Sequence, residues 1–151
     1  MNPPPEDTGE AMQAAHQTYR KMQTETASPA ELIGMLYDAL LRNLQRAENG
    51  LTAHDIEPAH HALMRAQDIV LELISSLDVR AGGEAGDLAR QMSPLYEYMY
   101  RRLLDASLRK DKAPVAEVHA LVIPLRQAWT VALEQLATQA ASGGVREGYR
   151  A

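Results

Sequence analysis

Four runs of apolar residues spaced three and four apart, separated by short turns, restrict this chain to helices packed side by side. The first run begins at Ser28-Pro29-Ala30-Glu31. Ser28 is placed to cap a helix, Pro29 takes the first helical position, and Glu31 completes a capping box. Leu32, Ile33, Leu36, Tyr37, Leu40, Leu41 and Leu44 follow, on a helix expected to reach about Asn49 and stop at Gly50. Asp55 caps a second helix, which tolerates Pro58 in its first turn and carries Ala59, Leu63, Ala66, Ile69, Val70, Leu73, Ile74 and Leu77 to a break at Asp78. Beyond the loop VRAGGEAGD, Glu84 or Asp87 opens a third helix with Leu88, Met92, Leu95, Tyr96, Met99, Leu103 and Leu108 inside. Asp111 caps the last, which carries Val115, Val118, Leu121, Val122, Leu125, Trp129, Leu133 and Leu136 and is expected to stop near Ser142-Gly143-Gly144.

No alternating strand pattern interrupts this order, and short connections make successive helices antiparallel. The expected fold is all-α, an antiparallel up-down four-helix bundle with a short, partly ordered N-terminal arm or helix. Residues 1 to about 15 lack the apolar content to pack and Ala14–Ala27 has only Tyr19 and Met22 as sizeable anchors, so residues 1–27 form a flexible arm; residues 28–142 form the bundle and 143–151 a mobile tail. Pro94 and Pro124 fall inside the third and fourth helices, where each removes a backbone bond, so a kink is expected at both. At Pro94 the helix could instead restart, with Ser93 as cap.

The 151 residues suit one domain, and a net charge of −5 gives no electrostatic reason to expect nucleic acid. The absence of Cys removes disulfide and thiolate chemistry and fits a reducing compartment. No apolar run approaches the roughly 18 residues of a membrane span, and MNPPPEDTGE is acidic and proline-rich where a signal peptide is basic and then apolar. A cytoplasmic protein without membrane insertion is the resulting expectation.

Candidate chemistry is sparse. Glu57-Pro58-Ala59-His60 has the spacing of half a di-metal bundle site, but no second such pair and no further inward carboxylates accompany it. His60-His61 could place a phosphate-accepting histidine at His61, yet Met64 and Arg65 stand where phosphotransfer domains carry Lys-Gly. Ser75-Ser76 has no base nearby, Gly82-Gly83 reads as a turn, and Arg101-Arg102 beside Tyr96, Tyr98 and Tyr100 reads as a solvated or ion-paired face. A binding module with no catalytic residue, cofactor or metal is favoured over an enzyme. The apolar band on the first helix is wider than the roughly 100° stripe one core consumes. It marks either a helix buried on two sides by its neighbours or one that keeps a face for a partner.

Four blocks resemble the flagellin-specific export chaperones of bacterial flagella, the FliS family: TASPAELIGMLYDALL at Thr26–Leu41, AQDIVLELISSLD at Ala66–Asp78, LYEYMYRRLLDASLRKD at Leu95–Asp111 and AEVHALVIPLRQAW at Ala116–Trp129. The resemblance implies a helical bundle that holds the disordered C-terminal segment of flagellin in the cytoplasm, prevents premature polymerisation and brings it to the membrane export gate. A loop ending at Asp87 that is a few residues longer than usual, and the two helix prolines, depart from the family pattern. The expected contact residues are Ile33, Leu36, Tyr37, Leu40, Ile69, Leu73, Tyr96, Met99 and Tyr100. Tyr19 is the one position where a gate-docking or groove-shielding role of the arm carries over. Trp129 is expected in the core, with Asp68 or Arg101-Arg102 in a polar network at its level.

Overall fold

The computed structural model describes Met12 and residues 27–148, with side chains to residue 142. The chain divides into two compact units, Met1–Leu32 and Ile33–Ala151. Tyr19 and Met22 lie outside the described residues, as does most of the expected arm. In the first unit the capping box forms as its sequence demands: Glu31 N–H donates to Ser28 Oγ at 3.2 Å, and Ser28 N–H donates to the Glu31 carboxylate at 3.3 Å.

Among the described residues there are four long helices and no strand: α1 (Pro29–Thr52), α2 (Ile56–Ser75), α3 (Gly83–Arg109) and α4 (Ala113–Gly148). From Ile33 onward they form a four-helix bundle. Leu40 and Leu44 of α1, Ile69 and Leu73 of α2, Met99 and Leu103 of α3, and Val115, Val118 and Val122 of α4 have no exposed surface. These are the positions at which the helical period places apolar residues on one face. Each fully buried side chain of this size stabilises the fold by about 1.5–3 kcal/mol relative to exposure.

Several helix boundaries differ from the sequence expectation, and three of them have a local reason. Gly50 does not end α1; it is buried inside it, and a Cβ there would lie 2.9 Å from the Ala59 Cβ and 3.1 Å from the Ala59 backbone. The stop falls instead at His54, whose φ of 56° is left-handed. His54 N–H donates to the Leu51 carbonyl and Asp55 N–H to the Gly50 carbonyl at 2.8 Å, the paired bonds of a Schellman turn. Helix α3 begins at Gly83, ahead of Glu84 and Asp87, with Gly82 as cap. Helix α4 continues through Ser142-Gly143-Gly144 to Gly148, because glycine in a helix costs only about 1 kcal/mol and no proline forces a stop.

Both α3 and α4 run unbroken through Pro94 and Pro124, so α3 does not restart at Ser93. The carbonyls that lose a donor belong to the exposed residues Arg90 and Ala120, where water can replace it. Among the described residues, no helix is long and apolar enough to cross a membrane.

Candidate functional site

The core fills the middle of the bundle and leaves a groove beside it. This groove of about 520 Å³ lies between α1, the α2–α3 loop, the first half of α3 and the middle of α4. Ile33 and Tyr37 enter from α1, Leu88, Met92 and Tyr96 from α3, and Leu125, Trp129 and Ala132 from α4. Ser76, Leu77, Asp78 and Ala81 form the wall on the loop side. Nearly all these side chains are apolar, and Leu88 is 52% exposed. A cavity so lined holds apolar side chains of a partner better than it holds ions.

The loop wall is built rather than loose. Arg90 donates to the Val79 carbonyl at 2.9 Å and to the Ala81 carbonyl at 3.3 Å, while its other nitrogen pairs with Asp87 at 2.6 Å. Gly86 allows the Ala81 carbonyl to lie against α3, since a Cβ at residue 86 would fall 1.7 Å from that oxygen. Opposite the loop, Arg126 grips the Asp38 carboxylate with two nitrogens, at 2.6 and 3.1 Å, and so ties α4 to α1. The hydrogen bonds from Arg126 hold the Asp38 carboxyl below its ordinary range.

Two phenols stand on the groove lining. Tyr37 and Tyr96, each 3% exposed, share a hydrogen bond between their hydroxyls. Burial pushes both phenols above the ordinary tyrosine range, and for Tyr96 the bond to Tyr37 adds to the shift. Trp129 meets Tyr37 edge-on, with ring centroids 6.4 Å apart and planes at 63°.

Of the nine contact residues expected from sequence, Ile33, Tyr37 and Tyr96 line this groove. Leu36 and Tyr100 are half-buried against the core, and Leu40, Ile69, Leu73 and Met99 lie wholly within it. In the free chain those four present no surface, because their helix faces meet at the bundle axis. The groove's other contributors, Leu88, Met92, Leu125 and Trp129, read in sequence as core positions. Their periodicity was the available signal, but it does not tell which stretch of a face goes uncovered. Trp129 is half-buried at the groove rather than central, and Arg102 of α3 joins Glu117 of α4 at 2.9 Å and Asp105 of its own helix at 3.3 Å. Tyr98 donates to the same Glu117.

The histidine pair stands elsewhere. His60 and His61 are exposed near the start of α2, with Glu57 3.9 Å from His61, and His60 borders a cavity of only about 60 Å³. Among the described residues no group of three or more His, Asp or Glu side chains could hold a metal ion.

The sequence matches the family model described as flagellar protein FliS over residues 11–136. It is 37% identical over 123 residues to the flagellar secretion chaperone FliS of Salmonella typhimurium, covering 81% of this chain and 89% of that protein. It is 32% identical over 136 residues to the protein of the same name from Bacillus subtilis, covering 89% and 98% respectively. With the Campylobacter jejuni flagellar secretion chaperone FliS it shares 34% over 115 residues, 76% of this chain and 88% of that one.

Proposed function

The chain belongs to the FliS family of flagellar proteins, and on that premise we propose that it is a cytoplasmic export chaperone for flagellin. It holds the disordered C-terminal segment of the subunit, keeps it from polymerising early and carries it to the cytoplasmic domain of the flagellar export gate. The observation that supports this most is the open apolar groove of about 520 Å³. A disordered segment must offset its ordering entropy by burying apolar surface, and an aromatic-lined cleft between helices provides it.

In this reading Ile33, Tyr37 and Tyr96 touch the guest together with Leu88, Leu125 and Trp129. Leu36 and Tyr100 extend the contact from half-buried positions. Leu40, Ile69, Leu73 and Met99 act from behind, as the packed floor that keeps the groove in register. The work is done by binding alone, with no bond made or broken. The role of Tyr19 at the gate or over the groove belongs to the same proposal.

Calorimetric titration with the C-terminal segment of the cognate flagellin, repeated at several temperatures, tests it. Coupled folding that buries roughly 1,000–3,000 Å² gives a large negative heat-capacity change. A titration without binding overturns the proposal.

A further inference from the structure

Resting on the groove as the guest's seat, the geometry points to a polar selection element within it. We propose that Tyr37 and Tyr96 together offer one hydroxyl proton to an uncharged oxygen on the guest, a backbone carbonyl or a side-chain amide.

The argument is one of donors and acceptors. Two phenols carry two O–H donors, and their mutual bond uses one. Among the described residues no second hydrogen bond is made by either oxygen. Burial holds both phenols protonated through the whole neutral range, so the second proton is always present. With the groove open, water can accept it. A guest that fills the groove removes that water, and an apolar group placed there would leave the donor orphaned in a dry site. A guest carboxylate would have to give up its hydration among apolar side chains, at greater cost than one bond returns. A neutral oxygen is the group that satisfies the site. A segment that folds into short helices has such oxygens where each helix ends.

The same pair also links α1 to α3, and the test must separate the two roles. Phenylalanine keeps the ring at either position, and removing both partners of a hydrogen bond is gentler than removing one. Affinity for the flagellin C-terminal segment is measured for Tyr37→Phe, Tyr96→Phe and the double variant, with thermal unfolding to confirm the fold. Each single variant retains one hydroxyl, freed from its mate, and binds within about threefold of the unaltered chain. The double variant has no donor and binds about tenfold more weakly or worse. Single variants already as weak as the double would mean that only the link between helices matters, and would overturn the inference. So would a double variant that binds as well as, or better than, the unaltered chain.

A second measurement needs no substitution. In the proton spectrum of the complex both tyrosine hydroxyls should be protected from exchange, against one in the free chain. A single protected hydroxyl in the complex would also overturn the inference. If the unaltered chain fails to bind the segment at all, the groove reading falls first and this inference with it.

Discussion

At Gly50 the absence of a side chain sets how closely α1 and α2 approach. A methyl group there would press on Ala59 at 2.9 Å, and on Ala59 backbone atoms that have no rotamer in which to escape. Gly50→Ala, although it favours the helix by about 1 kcal/mol in propensity, should therefore destabilise the bundle by about 1–3 kcal/mol. Denaturant unfolding gives the answer, and a variant as stable as the unaltered chain would mean the helices can part without loss. In sequence, this glycine just past the last periodic leucines looks like a helix stop. The actual stop is His54, which adopts a left-handed backbone that is uncommon outside glycine. Local residue preference pointed to the wrong position because tertiary packing had another use for the glycine.

At the scale of elements, the α2–α3 loop matters most, because it is the groove wall not made from a long helix. Its hold on α3 depends on Arg90, which reaches the Val79 and Ala81 carbonyls from an exposed site. Arg90→Ala should cost global stability no more than about 1 kcal/mol, as exposed charged contacts do. Amide exchange at residues 79–82 should rise, however, since local opening no longer breaks those bonds. Guest affinity should fall about threefold to tenfold, because the guest must then order its own wall. Unchanged exchange in that loop would show that Gly86 and the apolar contacts hold it unaided. The four helices and their inner faces could be read from period alone, as Leu40, Ile69, Met99 and Val118 demonstrate. The loop wall could not, because VRAGGEAGD carries turn chemistry and no period. The order of its bonds depends on an arginine nine to eleven residues away.

For the whole molecule, the groove is a stretch of bundle interior that the chain from Ile33 onward leaves unfilled, and this explains what sequence could not rank. Leu36, Leu40 and Ile69 sit on the same kind of helical face as Ile33 and Leu125; only assembly decides which are enclosed. A guest that completes this interior binds the folded state and not the unfolded one. Its effect on stability then follows from mass action, about 2.7 kcal/mol at one hundred times the dissociation constant. For a chain of this length that corresponds to a rise in melting temperature of roughly 5–10 °C. The chain's charge of −5 gives a competing account, in which a basic guest is drawn to an acidic surface. Salt separates the two. Screening shortens to about 3 Å at 1 M ionic strength and abolishes attraction between exposed charges, whereas apolar burial persists. Thermal unfolding with saturating flagellin segment should therefore show nearly the same shift at about 0.1 M and about 1 M sodium chloride. A shift that vanishes at high salt would move the guest from the groove to the charged surface.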